Sequence, residues 1–260
     1  MSAVSAAVPP VAIVLLHHFG GSARTWDGVV GRLRDEYDCV TPDLRGFGAA
    51  NEAAGPYTLV QYAEDVDDLV ERLGFERYVL VGHSMGGKIA LAFAARRPAG
   101  LAALVLLAPS PPTPEPMSEE DRAAALAGHG DRDALLATIA KITAGPLSTD
   151  LVARTADDMV RSSKVGWTAW LERGSREDIS ASIDGLAVPT LIVSGAADSA
   201  IPAGVQSAQT LPCLRKGRLA ILAGKGHLLP VEAPEAVADY IRYICRNITG
   251  GSADPRGGVS

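Results

Sequence analysis

The stretch VLVGHSMGGKIALAFAARRP, residues 79–98, changes character in its middle. A short apolar run leads into Gly-His-Ser-Met-Gly-Gly, and a helical pattern follows. A serine hydroxyl is a weak nucleophile at its ordinary pKa, so it needs a base and a position that substrate can reach. A sharp turn from strand to helix would give Ser84 that position, because Gly82 and Gly86 relieve crowding around it. The stretch therefore predicts a nucleophilic serine at the start of a helix.

Short apolar runs recur between longer amphipathic segments along the chain. Such continuous runs are typical of strands buried on both faces of a parallel sheet covered by helices. Residues 58–74 have one apolar helical face and end in a glycine suited to a helix C-terminus. The alternation predicts a doubly wound α/β core. The runs that we predict to be strands are 11–16, a short one near 39, 78–82, 103–108, 189–195 and 218–224.

One region breaks this alternation. Residues 110–183 begin with a proline-rich stretch and contain several helical patterns but no strand-like run. We predict that these residues, called the cap segment below, form a helical insertion in a core made of residues 8–109 and 184–249. Most of the apolar side chains of the cap segment are expected to pack between its own helices rather than to line a ligand site. The polar tail, residues 250–260, is predicted to be disordered.

The sequence GHSMGG after VLV resembles the nucleophile elbow of the α/β-hydrolase superfamily. Three other segments agree, since residues 15–29, 194–202 and 224–237 resemble the oxyanion, acid and histidine loops of that family. The resemblance implies an α/β-hydrolase fold of the serine-esterase type, with a mostly parallel central sheet and an inserted helical cap. The first predicted strand begins early in the chain, so we expect about six strands and no N-terminal antiparallel hairpin.

By this resemblance Ser84, Asp198 and His227 form a catalytic triad, in the family's order of nucleophile, acid and base. Taken singly, Asp198 could be a turn or capping aspartate and His227 a loop residue that caps the next helix. Both follow predicted strands, however, and active sites of open α/β sheets gather at the ends of strands.

The oxyanion loop departs from the family pattern. Relatives usually have His-Gly where this chain has His17-His18, and the backbone N–H groups implied to stabilise an oxyanion are those of Phe19 and Met85. We expect His18 either to distort the loop or to adopt a positive φ, and His17 to hold the loop in place. Candidate pocket residues are His18, Trp167 and Trp170, whereas Glu115 and Lys88 are expected to be solvated surface groups.

Composition excludes several other classes of function. The 24 basic and 30 acidic residues give a net charge of −6, and no basic stripe points to nucleic acid or an anionic membrane. The apolar run at 8–16 is interrupted by prolines and is expected to be neither a signal peptide nor a membrane span. Three dispersed cysteines and the lack of an H-x-x-x-H motif predict no disulfide framework, no metal site and no cofactor, with the cytoplasm as the simplest compartment.

The implied reaction is hydrolysis of a small-molecule carboxylic ester, lactone or thioester with a small to medium apolar acyl group. The same motifs also occur in carbon–carbon bond hydrolases, perhydrolases or haloperoxidases, and hydroxynitrile lyases. A pocket that binds a small ligand with weak turnover is the alternative from a different class. Dehalogenases and epoxide hydrolases are disfavoured, because they place an aspartate where this chain has Ser84. Homo-oligomerisation stays open.

Overall fold

Six strands form one sheet in the order β2-β1-β3-β4-β5-β6, and every neighbouring pair is parallel. The computed structural model describes residues 11–248. The prediction of about six strands in a mostly parallel sheet is confirmed, whereas the predicted lack of an N-terminal antiparallel hairpin concerns residues before 11, which lie outside the described residues. The strands are β1 (Ala12–Leu16), β2 (Cys39–Val40), β3 (Tyr78–His83), β4 (Leu101–Leu107), β5 (Thr190–Gly195) and β6 (Gly217–Leu222).

The middle of the sheet is buried on both faces. Every residue of β1, β3 and β5 is buried, whereas β6 at one edge contains only partly buried and exposed positions. Side chains of successive strand residues point to opposite faces, so each central strand supplies apolar groups to two cores, one on either side of the sheet. One core contains Val14 and Leu80, and the other contains Ile13 and Val79.

Helices cover both faces and fill the chain between β4 and β5. Short 3-10 turns also occur, including Ala23–Trp26 directly after the loop that follows β1. The α-helices are α1 (Asp27–Leu33), α2 (Leu59–Leu73), α3 (Met85–Ala95), α4 (Glu119–Ala127), α5 (Arg132–Ile142), α6 (Thr149–Arg161), α7 (Lys164–Glu172), α8 (Ser180–Ile183), α9 (Ala203–Val205), α10 (Leu229–Glu232) and α11 (Pro234–Ile248).

The helix predicted over residues 58–74 corresponds to α2. Thr58 caps its N-terminus by accepting a hydrogen bond from the Gln61 N–H, and Gly74 ends it with a left-handed φ of 65°. That conformation is readily adopted by glycine and disfavoured for residues with a Cβ, which explains why the helix stops there. Leu73, the last residue of α2, is 40% exposed and lies at the margin of the apolar face.

The cap segment contains helices α4 to α8 and no strand, as the sequence pattern predicted. Its longer helices begin at side chains that cap their first turns. Ser118, Asp131, Ser148 and Ser163 each accept a hydrogen bond from a backbone N–H two or three residues later. These caps satisfy N–H groups that have no partner inside a helix. The division into core and cap domains stays a prediction.

Two further sequence predictions concern segments only partly described. The proposed tail at 250–260 lies outside the described residues, as do residues 8–10 and 249 at the ends of the proposed core.

No disulfide joins Cys39, Cys213 or Cys245. Over residues 11–248, no helix has both the length and the apolar composition that crossing a bilayer requires.

Candidate active site

Ser84 lies at the sharp turn between β3 and α3. Its backbone has φ 53° and ψ −115°, a conformation that residues with a Cβ rarely adopt. The turn brings backbone segments so close together that a Cβ on Gly82 would lie 2.4 Å from the Gly86 carbonyl oxygen. A Cβ on Gly86 would lie 2.4 Å from the carbonyl oxygen of Leu16. The glycines around Ser84 are therefore required by close packing of the backbone.

A chain of hydrogen bonds joins the three residues that the sequence placed on different loops. Ser84 Oγ lies 2.9 Å from His227 Nε2, and His227 Nδ1 lies 2.8 Å from Asp198 Oδ2. The carboxylate can only accept, so His227 carries its proton on Nδ1, and Nε2 is left to accept the Ser84 hydroxyl proton. All three residues are buried, at 5–6% exposure. The arrangement fits a serine activated by a neutral imidazole.

The second carboxylate oxygen of Asp198 is also held in place. Oδ1 accepts hydrogen bonds from the backbone N–H groups of Ala200 and Ile201, each at 2.9 Å. These bonds fix the position of the carboxylate after the end of β5. The bond to His227 is therefore made by an acid whose position is set by the loop backbone.

The loop after β1 is held by His17, as the sequence analysis expected. His17 Nε2 accepts a hydrogen bond from the Leu44 N–H at 3.0 Å, while Nδ1 donates to the carbonyl oxygen of His18 at 2.8 Å. Ser22, further along the loop, donates to Asp158 of the cap segment at 2.7 Å. Burial lowers the pKa of His17, so the neutral form required by this pair of bonds is favoured.

His18 fits this loop without a positive φ. The described non-glycine residues with positive φ are Ser84, Arg97 and Ala108, so a Cβ at position 18 needs no left-handed backbone. The expectation of a positive φ there is wrong. The Phe19 N–H donates no backbone hydrogen bond within residues 11–248. Met85 is the first residue of α3, so its N–H has no partner inside the helix.

A cavity of about 500 Å³ lies above Ser84, between the sheet and the cap segment. Ser84 and His227 are in its wall, and so are the candidate pocket residues His18, Trp167 and Trp170. The expectation that most apolar side chains of the cap segment avoid this cavity is wrong, because α4 to α7 converge over the elbow. The side chains concerned are Met117, Leu135, Ile139, Ile142, Met159, Trp167 and Trp170, whereas Leu126 and Leu136 do not line it.

Comparison with known proteins agrees with this architecture. A family model described as the alpha/beta hydrolase fold matches residues 11–158, more than half of the chain. The chain belongs to the α/β-hydrolase family.

Relatives of this α/β hydrolase carry different names. An uncharacterized protein of Mycobacterium tuberculosis is 36% identical over 96 residues, a match that covers 37% of this chain and only 28% of that protein. A putative 2-succinyl-6-hydroxy-2,4-cyclohexadiene-1-carboxylate synthase of Bacillus subtilis is 27% identical over 252 residues, covering 91% of both chains. The structure of a thermophilic esterase from Thermogutta terrifontis has a TM-score of 0.79 and 27% identity, covering 92% of this chain and 90% of that one.

The aromatic side chains of the oxyanion loop and the cap segment pack against one another. The Phe19 ring lies 4.1 Å from the Trp167 ring and 6.5 Å from the Trp170 ring, measured between centroids. Trp167 also donates a hydrogen bond from Nε1 to the Ala125 carbonyl oxygen at 3.0 Å. His129, unremarkable in the sequence, packs its ring 5.4 Å from that of Trp167. The residue that would supply an oxyanion donor is thus packed against the roof of the cavity.

The two charged residues expected at the surface are not there. Lys88 is completely buried in α3, and its ammonium donates hydrogen bonds to the backbone carbonyl oxygens of Thr113 and Glu177, at 3.1 and 2.6 Å. Burial lowers the pKa of Lys88 to about 8. Glu115 lines the cavity, and burial raises the pKa of its carboxyl. Lys88 therefore connects both ends of the cap segment to the helix that begins after Ser84.

Glu232 is a residue that sequence reasoning missed. Its carboxylate accepts hydrogen bonds from the N–H groups of Gly226 and Leu228, on either side of His227, at 2.9 and 3.0 Å. It also accepts one from Ala144 of the cap segment at 3.0 Å. In the sequence, the feature that could have indicated this role is an acidic residue five positions after the loop histidine His227. Three backbone donors on one carboxylate show that Glu232 shapes the loop carrying His227.

The described residues also bear on metal binding. Across residues 11–248, no group of three or more His, Cys, Asp or Glu side chains is arranged to hold a metal ion.

Proposed function

We propose that this chain is a serine hydrolase that cleaves a carboxylic ester, lactone or thioester with a small to medium apolar acyl group. The observation that carries the proposal is the hydrogen-bonded chain Ser84–His227–Asp198, which opens into a largely apolar cavity. A volume of about 500 Å³ is in the range of small-molecule sites. Esters and related acyl compounds are favoured because an amide leaving group would need more help from the site.

In the proposed first step, Ser84 Oγ attacks the acyl carbon while its proton passes to His227 Nε2. Asp198 stabilises the imidazolium that forms and holds its orientation. The negative charge that develops on the acyl oxygen is stabilised by the N–H groups of Phe19 and Met85, and the N-terminus of α3 contributes in the same direction.

Collapse of this intermediate breaks the bond to the leaving alcohol or thiol, which takes the proton from His227. An acyl group is then bound covalently to Ser84. A water molecule gives a proton to His227 and attacks the acyl carbon, and the acid is released as Ser84 recovers its proton. Each step uses the same base and the same two N–H donors, so one geometry serves both halves of the reaction.

Hydrolysis of p-nitrophenyl esters with two to eight acyl carbons tests this proposal. We expect the wild type to turn over short or medium chains and Ser84→Ala to lose at least about 10⁴-fold in kcat/KM. Ser194→Ala is the matched control, because Ser194 is a buried serine within β5 that does not line the cavity.

Covalent labelling separates turnover from mere binding. A fluorophosphonate probe should modify the wild type and Ser194→Ala at Ser84, and it should leave Ser84→Ala unmodified. Equal, feeble ester hydrolysis by the wild type and Ser84→Ala would refute the proposal. Stoichiometric ligand binding without labelling would then favour the small-ligand-binding alternative.

A further inference from the structure

His18 is a buried polar side chain in the wall of the cavity that lacks a hydrogen-bond partner. The residue is 6% exposed and lines the cavity together with Ser84 and His227. Within the described part of the chain, neither Nδ1 nor Nε2 of its ring forms a hydrogen bond. Buried polar groups in folded proteins are normally paired, so an imidazole of this kind needs a specific reason.

The neighbouring histidines do not supply that partner. Both ring nitrogens of His17 are bonded to backbone groups, of His18 and Leu44, and His83 Nε2 donates to the carbonyl oxygen of His227 at 2.8 Å. The His18 ring instead packs against that of His83, with 5.0 Å between centroids. The His18 ring also packs closely against Gly21, because a Cβ added to Gly21 would lie 2.7 Å from Cε1 of His18. The imidazole is therefore confined by packing and has little freedom to turn toward another protein group.

From the location of His18 we infer which part of a bound substrate it would contact, namely the acyl part. It directly precedes Phe19, whose N–H we assign to the acyl oxygen. A leaving group must approach His227 to receive its proton. The His18 ring contacts that of His83, and the His83 ring lies 5.4 Å from that of His227. Because His18 is the residue next to Phe19, we assign a group that meets His18 to the acyl side of the scissile bond.

The chemistry of the ring narrows what that group can be. Burial lowers the pKa of His18 to about 3, and the neighbouring His17 and His227 act in the same direction. A neutral imidazole has one N–H donor and one acceptor nitrogen. A carbonyl oxygen can accept from the donor, and a hydroxyl can pair with either nitrogen. A carboxylate gains no charge attraction from a neutral ring.

We propose that His18 is a specificity-determining residue that hydrogen-bonds a second uncharged oxygen, a ketone or hydroxyl, on the acyl chain of the substrate. This inference rests on the proposed ester hydrolysis and specifies the acyl group as an otherwise apolar chain that carries one uncharged oxygen. A site built around a buried hydrogen-bonding group discriminates against analogues that leave that group unpaired.

Three esters of similar size provide the test: methyl butanoate, methyl 2-hydroxybutanoate and methyl 3-oxobutanoate. For each enzyme, kcat/KM on an oxygenated ester is divided by kcat/KM on methyl butanoate. The intrinsic reactivity of each ester cancels when this ratio for the wild type is divided by the ratio for a variant. His18→Phe keeps a ring but loses both nitrogens, whereas His18→Gln keeps a donor and an acceptor.

We expect His18→Phe to lower the ratio of kcat/KM on the oxygenated ester to kcat/KM on methyl butanoate about tenfold for at least one oxygenated ester. His18→Gln should keep that ratio within about threefold of the wild type. Thermal unfolding shows whether each variant is folded. If His18→Phe does not fold, His18→Gly, the residue usual in the family, takes its place. If His18→Phe lowered kcat/KM equally on methyl butanoate and on the oxygenated esters, the role assigned to His18 would be overturned but the proposed function would not. Absence of Ser84-dependent hydrolysis of all three esters would overturn the proposed function as well.

Discussion

The backbone N–H of His227 donates a hydrogen bond to the carbonyl oxygen of Ile142, 2.8 Å away. Ile142 is the last residue of α5, so the cap segment contacts the backbone of the proposed base directly. A Cβ on Gly226 would lie 2.5 Å from the same carbonyl oxygen, which explains the glycine before His227. Ser199, next to Asp198, donates to the Lys141 carbonyl oxygen at 2.8 Å. The end of α5 therefore fastens both the histidine loop and the acid loop.

Glu232→Ala tests whether this connection positions His227. The change removes three hydrogen bonds that hold the loop around His227 and the segment after α5. A small displacement of a base reduces the rate of proton transfer more than it weakens substrate binding. We expect kcat for p-nitrophenyl butyrate to fall at least about tenfold while KM changes less than about threefold.

Two further variants separate positioning by Glu232 from a general effect of charge. Glu232→Gln keeps one acceptor oxygen and should recover part of kcat. Glu235→Ala removes an exposed carboxylate from the first turn of α11 and should leave kcat unchanged. A loss that appears only as a lower melting temperature, with kcat intact, would contradict a positioning role for Glu232.

Gly86→Ala should be severely destabilising, because its Cβ would lie 2.4 Å from the Leu16 carbonyl oxygen and 2.6 Å from that of His17. Backbone atoms cannot move away as a flexible side chain can, so we expect a loss of about 3 kcal/mol or more in the free energy of unfolding. Gly31→Ala is the matched control. Gly31 lies in α1 with nothing within 4 Å of the added Cβ, and we expect a gain of about 0.4–1 kcal/mol. Urea unfolding measures both, and a tolerated Gly86→Ala would contradict the close packing at the elbow.

The buried His18 should make the fold sensitive to acid. Its pKa is about 3 in the folded chain, against an ordinary value of 6.5. Between these values the unfolded chain binds the extra proton, so the free energy of unfolding falls as the pH drops from 6.5 toward 3. One such group contributes a slope of up to ~1.4 kcal/mol per pH unit. Urea unfolding of the wild type and His18→Gln at pH 4 to 7 should show a shallower fall for the variant, and identical slopes would contradict the prediction.

The sheet and the elbow could be predicted from local sequence. The runs that became β1, β3 and β5 are continuous and apolar, and a buried parallel strand needs little more than that. Ser84 could be placed on its turn because glycines at fixed spacing reflect a backbone crowding that acts within a few residues. Asp198 could be assigned to a loop because it follows the buried strand β5, and His227 because it follows the apolar run that forms the edge strand β6.

The cavity could not be predicted, because its walls are set by how distant helices meet. Lys88 looks like a surface lysine, yet the first and last parts of the cap segment supply the carbonyl oxygens of Thr113 and Glu177 to its ammonium. The apolar residues of α5 look like packing between helices until α5 is seen to lie over Ser84. Glu232 has no local signal for its third partner, Ala144, which is 88 residues away in the chain.

Trp170 should set the length of acyl chain that the cavity accepts. The side chain is 3% exposed, lines the cavity and lies over Phe19. Trp170→Phe replaces two fused rings by one, which enlarges the space above Ser84 while keeping an aromatic face. We expect the optimum in the p-nitrophenyl ester series to move to a longer acyl chain. Trp26→Phe is the control, since Trp26 is fully buried on the other face of the sheet and does not line the cavity. It should lower stability without moving the optimum, and an equal shift in both variants would show that Trp170 does not define the acyl pocket.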